Sequence, residues 1–441
     1  MNKISRRSLI TQSLAIGSMA SFGGLQSSSA QATMAKTIDR PVTISFYNYN
    51  LATAGTGAEA TKKLIADFMV ANPNIKVEGV AVVSSEMTAR VQADIVSGRV
   101  PDLAQIVFRD LDFAAKSLGA KAYEDIVEPQ ELKNQFNGMF EPGLQLGVID
   151  KKTYGLAFTF STPVLFYNAD LFRQAGLDPD MPPRTWAEVR SAGEAISKKT
   201  GKHGFFGGIY GVNDGNFVYQ SIVMSNGGKA ISDDRKKLMF GEPAAIEAVQ
   251  MLRDMVDSGA HARIDPSSHT DTMMAGNLGM FLYTSAVQTS LLKAANGKFE
   301  LRAAPEPSFG TLPTRPTNSG SALFIMSDDP LKQRAAWELL KFITSKEGYT
   351  VITRDIGYLP LRLDIVDDPK YLGDWMKSNP LMRPNLEQLT RLTPNAAMPG
   401  SKFRQIEKIM MDAVREAVFG KDDVAKIMKS AQEDAQILMP R

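Results

Sequence analysis

The side chains that could do chemistry in this chain are few, and their spacing matches no catalytic or metal-binding motif. The chain has no cysteine, and its three histidines, His203, His261 and His269, are too scattered for the spaced pairs of a metal site. It also lacks the glycine-lysine phosphate loop, the paired-histidine helix of metalloproteases and the serine elbow of hydrolases. We therefore expect no metal, no cofactor and no bond-breaking reaction.

Two close pairs of carboxylates, Asp110 with Asp112 and Asp178 with Asp180, remain as candidates for acid–base work. A glycoside hydrolase needs two carboxylates held about 5 to 9.5 Å apart across a cleft, a separation that sequence cannot show. Both pairs lie among turn-forming residues, which favours solvated loops. The glycine-containing segment 55–60 is similar to a dinucleotide fingerprint, but residues 48–54 separate it from the preceding predicted strand. A flexible loop on the rim of a cleft is therefore the favoured interpretation.

The first residues have the composition of an export signal. Lys3, Arg6 and Arg7 supply positive charge, and a mildly apolar segment follows them. Residues 30–32 (Ala-Gln-Ala) have the small side chains that signal peptidase accepts, so we expect residues 1–32 to be cleaved near Ala32. The Arg6-Arg7 pair resembles the twin-arginine signature, with the general secretory route as the alternative. The sequence therefore predicts a periplasmic protein.

Composition argues against several classes of partner. With 50 basic and 48 acidic side chains, the chain offers no electrostatic reason to bind nucleic acid or an anionic membrane. Without cysteine it has no thiol for a lipid anchor, and no segment after the signal has the roughly 20 apolar residues of a membrane span. A chain of 441 residues exceeds the size of a single core, so we expect two domains in a freely diffusing monomer.

Strands and helices alternate from residue 42 onward. Residues 42–47, 75–83 and 103–107 are predicted strands, separated by helices over 58–71 and from a cap at Ser84 or Ser85 to Gly98. This alternation predicts a mostly parallel sheet covered by helices. Further helices are predicted at residues 186–199, 243–258, after Asp329-Pro330, at 402–419 and at 422–438.

Several segments together resemble the periplasmic solute-binding proteins that feed sugar-type ABC importers, extracellular solute-binding protein family 1. They are residues 98–102 (Gly-Arg-Val-Pro-Asp), 154–156 (Tyr-Gly-Leu), 161–168 (Ser-Thr-Pro-Val-Leu-Phe-Tyr-Asn), 171–177 (Leu-Phe-Arg-Gln-Ala-Gly-Leu), 182–186 (Pro-Pro-Arg-Thr-Trp), 336–343 (Ala-Trp-Glu-Leu-Leu-Lys-Phe-Ile) and 357–360 (Gly-Tyr-Leu-Pro). Within the family, residues 161–164 and 177–186 look most like the glycerol-3-phosphate-binding branch.

This resemblance implies an α/β fold of two discontinuous lobes joined by hinge strands, the type II periplasmic binding protein fold. We expect one lobe at residues 40–149 plus 306–365 and the other at 150–305 plus 366–441. It also implies that the lobes close around a small-molecule ligand and deliver it to the permease subunits of an ABC transporter, without acting as an enzyme.

The resemblance assigns site residues as well. Ser161, Tyr358, Thr284 or Ser285, and Ser319 or Gly320 match family positions, whereas Phe108 or Arg109 replaces a family glutamate. Our complete set of ligand-binding candidates is Tyr47, Phe108, Arg109, Ser161, Tyr210, Asn213, Tyr283, Thr284, Ser285, Ser319, Gly320 and Tyr358.

The expected ligand follows from one departure from the family pattern. The ligand-binding arginine of the glycerol-3-phosphate branch falls at Pro399 or its neighbours, which removes a charge-assisted bond to phosphate. We therefore expect a neutral sugar, sugar derivative or polyol, held by aromatic faces and by hydroxyl and amide groups. The alternative is glycerol 3-phosphate or a glycerophosphodiester bound through Arg109, Arg315 or Arg354, and the more distant alternative is an exported carbohydrate-active enzyme.

Overall fold

The computed structural model describes residues 34–53, 56–211 and 215–440. The predicted signal, residues 1–32, and the candidate Asn213 lie outside the described residues. The strands are β1 (Val42–Asn48), β2 (Ile75–Ala81), β3 (Leu103–Val107), β4 (Val148–Ile149), β5 (Lys152–Thr153), β6 (Leu156–Ser161), β7 (Pro163–Asn168), β8 (His203–Gly207), β9 (Leu278–Thr284), β10 (Leu301–Ala304) and β11 (Ser319–Ile325).

The helices run from α1, which follows β1, to α18 near the end of the chain. They are α1 (Thr56–Ala71), α2 (Met87–Val96), α3 (Leu111–Ser117), α4 (Tyr123–Ile126), α5 (Pro129–Phe136), α6 (Glu141–Leu144), α7 (Ala169–Gln174), α8 (Trp186–Thr200), α9 (Asn216–Ser225), α10 (Pro243–Asp257), α11 (His269–Met274), α12 (Gln288–Ala295), α13 (Pro330–Ile343), α14 (Lys346–Val351), α15 (Gly373–Lys377), α16 (Arg383–Gln388), α17 (Phe403–Phe419) and α18 (Val424–Gln436). Among the described residues, no helix is both long and apolar enough to cross a membrane.

Local sequence signals mark both ends of α8. In α8 the Thr185 side chain accepts a hydrogen bond from the Glu188 backbone N–H, and the Glu188 side chain accepts one from the Thr185 backbone N–H, which is a capping box. Gly201, at φ +69°, ends the helix. The predicted cap of α2 is wrong. That helix begins after Glu86 with no side-chain cap, so Ser84 and Ser85 are available for another role.

The strands form two main sheets and a small hairpin of β4 and β5. The first sheet has the order β2-β1-β3-β11-β6, and the second has the order β10-β7-β9-β8. The predicted parallel arrangement is confirmed for β2, β1 and β3. It is wrong elsewhere, because β11 runs antiparallel to both β3 and β6, and in the second sheet only β8 and β9 are parallel.

Each sheet has its own hydrophobic core. Phe46, Phe158 and Trp337 belong to the core of the first sheet, and Trp186 and Phe205 belong to that of the second. Two separate cores, each built on a helix-covered mixed sheet, define two lobes. The predicted α/β fold of two lobes is therefore confirmed.

The chain crosses between the lobes at places that differ from the predicted boundaries. Strand β6 belongs to the first sheet and β7 to the second, so the first crossing lies at Thr162 rather than at residue 150. A second crossing joins β10 to β11. Leu372 and Leu389 still pack in the core of the first lobe, and α17 and α18 then return to the second. Residues 366–389 therefore lie largely with the first lobe.

Candidate ligand-binding cavity

A cavity of about 250 Å³ lies where the chain crosses between the two sheets. Its wall takes residues from both lobes, mostly from the ends of strands and the segments that follow them. The lining residues are Tyr49, Ser84, Ser85, Val107, Phe108, Arg109, Ser161, Asn216, Phe217, Thr284, Ala286, Asn318, Ser319, Gly320, Tyr358 and Asn395. Seven of the twelve predicted site residues are in this wall: Phe108, Arg109, Ser161, Thr284, Ser319, Gly320 and Tyr358.

Three of these residues meet because the strands that carry them end at the crossing. Ser161 ends β6 in the first sheet and is paired in register with Ser319 of β11. Thr284 ends β9 in the second sheet, and its Oγ1 is hydrogen-bonded to Oγ of Ser161 at 2.7 Å. One hydroxyl pair therefore joins the two sheets at the cavity wall.

Tyr358 and Tyr49 join Phe108 as aromatic residues of the wall on the first lobe. A π-helical turn, Ile352–Ile356, followed by Gly357 at φ +94°, leads the backbone to Tyr358. The Tyr49 hydroxyl is hydrogen-bonded to Oγ1 of Thr159 at 2.9 Å. Burial raises the pKa of both phenols, and for Tyr358 the neighbouring Tyr49 hydroxyl adds to the effect. Both side chains therefore stay neutral and can donate or accept a hydrogen bond.

Gly320 is required by the backbone at this position. Its φ is +105°, and a Cβ built on it would lie 2.0 Å from the carbonyl oxygen of Thr159. No side chain fits there, since β11 passes too close to β6.

Arg109 is the cationic side chain of the described wall, and acidic groups oppose its charge. It follows Phe108 directly after β3, its side chain is 12% exposed, and its Nε lies 3.4 Å from Oδ1 of Asp110. Glu407 also interacts with Arg109. Burial raises the pKa of the Glu407 carboxyl to about 7, and the positive charge of Arg109 partly offsets this rise. No carboxylate is among the described lining residues.

Asp110 and Asp112 connect the two lobes beside the cavity. The expectation of a solvated loop was wrong, because both side chains are at most 1% exposed. Oδ2 of Asp110 lies 2.7 Å from Nη2 of Arg404, and Oδ1 of Asp112 lies 2.8 Å from Nη2 of Arg235. The backbone N–H of Gly400 donates to Asp112 at 3.2 Å. Both aspartates belong to the first lobe and all three partners to the second.

Four predicted site residues lie outside the cavity wall. The Tyr47 hydroxyl donates to Asp94 at 2.8 Å. The Tyr210 hydroxyl is hydrogen-bonded to Nε2 of His261 at 2.9 Å, and burial lowers the pKa of that histidine to about 4. The Tyr283 ring packs on the Phe281 and His269 rings at centroid distances of 5.1 and 4.9 Å. Ser285 is fully buried, and its backbone N–H donates to the carbonyl of Thr162.

Asn318 and Asn395 line the cavity and were missed by sequence reasoning. Asn318 directly precedes the predicted Ser319, which is the only local signal, and Asn395 lies in an irregular segment without one. No group of three or more histidine, cysteine or acidic residues in the described parts of the chain could hold a metal ion. The wall therefore offers hydroxyls, amides, aromatic rings and a single guanidinium, which can bind a polar solute.

The described residues form two lobes with a polar cavity where the chain crosses between them, an arrangement that can hold a small solute. The chain matches the family model described as bacterial extracellular solute-binding protein over residues 63–384, and it belongs to that family. It is a solute-binding protein and not an enzyme. The sn-glycerol-3-phosphate-binding periplasmic protein UgpB of Yersinia enterocolitica is 26% identical over 363 residues, 78% of this chain and 81% of that protein.

Solved structures have the same fold. The cyclic alpha-maltosyl-1,6-maltose binding protein of Arthrobacter globiformis superposes with a TM-score of 0.79 at 21% identity, covering 90% of this chain and 99% of that chain. UgpB of Mycobacterium tuberculosis, in complex with glycerophosphocholine, superposes with a TM-score of 0.77 at 21% identity, covering 90% and 98%. At this identity the two structures support the fold alone.

Proposed function

We propose that this chain is the substrate-binding component of an ABC importer and that it captures a neutral sugar, sugar derivative or polyol for delivery to membrane permease subunits. The observation that carries the proposal is the composition of the cavity wall. Aromatic rings can pack against the C–H faces of a sugar, and hydroxyl and amide side chains can pair with its OH groups. The ligand needs only to bind the closed arrangement of the lobes better than the open one.

The alternative ligand is glycerol 3-phosphate or a glycerophosphodiester, and Arg109 is the observation in its favour. Of the three arginines considered for phosphate, only Arg109 lines the cavity. Arg315 is exposed, and the exposed Arg354 pairs with Asp355 at 2.7 Å. Asp110 beside Arg109 weakens the attraction of this cation for a phosphate, which favours the neutral ligand.

The proposal includes export and a monomeric state. The composition of residues 1–32 supports a twin-arginine signal cleaved near Ala32, and the extracellular description of the family supports a periplasmic location. The permease subunits of the ABC importer would then meet the protein at the outer face of the cytoplasmic membrane.

A ligand panel tests the proposal. The mature protein is screened by thermal denaturation against sugars, polyols, sn-glycerol 3-phosphate and glycerophosphocholine, and each compound is recovered for mass spectrometry. We expect a neutral compound to raise the melting temperature and to be recovered unchanged. Turnover of the stabilising compound would contradict the binding function.

Two arginine variants separate the candidate ligands. Arg109→Met should keep most of the stabilisation by a neutral ligand and lose that by a phosphorylated one, because the guanidinium matters chiefly for phosphate. Arg354→Met is the control, since Arg354 does not line the cavity. Stabilisation by phosphorylated compounds only, lost in Arg109→Met, would overturn the neutral preference in favour of the alternative.

A further inference from the structure

Asn318 and Asn395 meet in the cavity wall from segments distant in the sequence. Asn318 precedes β11 and is 1% exposed, and Asn395 lies in the segment between α16 and α17. Oδ1 of Asn318 accepts a hydrogen bond from the backbone N–H of Asn395 at 2.8 Å. Because that bond uses the oxygen, it fixes the orientation of the Asn318 amide, so Nδ2 is the free end of the group.

The two amides leave a donor and an acceptor in the wall. Nδ2 of Asn318 and Oδ1 of Asn395 are buried, and neither has a hydrogen-bond partner among the described residues. Both residues line the cavity. A buried polar atom without a partner is costly, so these two atoms call for a group that supplies one acceptor and one donor.

Few chemical groups can pair with both of these atoms. With the two amides oriented as in the structure, a phosphate or carboxylate, which only accepts, would leave Oδ1 of Asn395 unpaired, whereas an ammonium, which only donates, would leave Nδ2 of Asn318 unpaired. A single hydroxyl can serve both atoms only if it lies between them, whereas two neighbouring hydroxyls give each atom its own partner, since one can accept from Nδ2 while the other donates to Oδ1.

We propose that Asn318 and Asn395 form an amide pair that binds a vicinal diol of the ligand. This inference rests on the proposed function and deepens it by naming the part of the ligand that is recognised. Sugars, many polyols and glycerol phosphates all carry such a diol, so the amide pair serves any of them. The diol is therefore the shared element of specificity, and the remainder of the ligand contacts the rest of the wall.

Asn395→Leu tests the amide pair and leaves the hydrogen bond between Asn318 and the Asn395 backbone in place. The bond to Asn318 comes from the Asn395 backbone, so leucine removes only the cavity-facing amide. We expect the variant to bind about ten-fold or more weakly, with a nearly unchanged melting temperature without ligand. Asn134→Leu, at an exposed position of α5, is the matched control and should bind like the wild type.

Deoxy ligands complete the experiment. Isothermal titration compares glycerol with 1,3-propanediol and sn-glycerol 3-phosphate with 3-hydroxypropyl phosphate, and the second compound of each pair lacks the middle hydroxyl that completes the vicinal diol. For whichever parent compound binds, the deoxy compound should bind the wild type more weakly and should be insensitive to Asn395→Leu. Equal binding of the parent compound by the wild type and Asn395→Leu overturns the amide pair alone. A wild type that binds neither these probes nor the wider panel contradicts the proposed function itself.

Discussion

Replacing Arg404 by methionine tests the ion pair that joins the two lobes beside the cavity. Arg404 lies in α17 of the second lobe, and its Nη2 is 2.7 Å from Asp110 of the first lobe. The Asp110 side chain is fully buried, whereas that of Arg404 is 43% exposed. Methionine keeps the length and helix propensity of the side chain and removes its charge and its donors.

The expected magnitude follows from this burial. Breaking a fully buried ion pair by removing one partner costs about 3–5 kcal/mol, whereas an exposed pair contributes about 0–1 kcal/mol. The Arg404–Asp110 pair is intermediate, and Asp110 keeps the Thr88 hydroxyl and Arg109 as partners. We therefore expect a loss of about 1–2 kcal/mol, which is roughly ten-fold in an equilibrium constant. Because the charges lie on different lobes, losing the pair should weaken lobe closure, and with it ligand binding, more than it weakens the folding of either lobe.

The assay compares ligand affinity with folding stability. By isothermal titration, Arg404→Met should bind the ligand identified in the panel about ten-fold more weakly, while its urea unfolding changes less. The control is Lys408→Met in the same helix, whose pair with Asp412 is exposed on both sides. Wild-type affinity in Arg404→Met, or an equal loss in Lys408→Met, would show that the Arg404–Asp110 pair does not stabilise closure.

Two further substitutions probe groups around the cavity. Burial raises the pKa of Glu407 from 4.5 to about 7, so the stability tied to its bound proton is complete below pH 4.5 and is lost as the pH rises through 7. Glu407→Gln should therefore be more stable than the wild type in urea at pH 8, with a smaller difference at pH 5; a less stable variant at pH 8 would contradict this sign. Gly320→Ala should cost more than about 1 kcal/mol of unfolding free energy, because of its positive φ and the nearby Thr159 carbonyl. Gly297 has a φ of +72°, and a Cβ built on it would meet nothing within 4 Å. Gly297→Ala should therefore lose less unfolding free energy than Gly320→Ala when both are measured by thermal denaturation, and equal losses would contradict the steric argument.

The starts of α8 and α13 were predictable because their signals are local. The capping box of Thr185 and Glu188 begins α8, and Asp329 caps α13 at the predicted position. The crossing at Thr162 was not predictable in the same way. Residues 156–168 are uniformly buried in two successive strands, and Pro163 marks the start of the second strand without showing that it belongs to a different sheet. The placement of β11 depends equally on a long-range pairing.

The site was predictable where it coincides with strand ends. Ser161, Thr284 and Ser319 were found through the family resemblance of the segments that carry them, and their strands bring them together. Asn318 and Asn395 were missed because 77 residues separate them and neither lies in a regular element. Spatial proximity, which sequence does not display, creates their role.

The two buried aspartates show why local reasoning failed for charged groups. Asp110 and Asp112 have turn-like neighbours, which suggests solvation. Their burial depends on arginines 294 and 123 residues away in the chain. A charge can be buried only when a partner is brought to it, so burial of a carboxylate is a property of the folded lobes.

The most direct test of the account is small-angle X-ray scattering of the mature protein with and without the stabilising ligand. The ligand should lower the radius of gyration as the lobes close, and Arg404→Met should need more ligand to reach the same value. The ligand should be recovered intact from the sample. An unchanged radius of gyration at saturating ligand, or a chemically altered ligand, would contradict capture between the lobes.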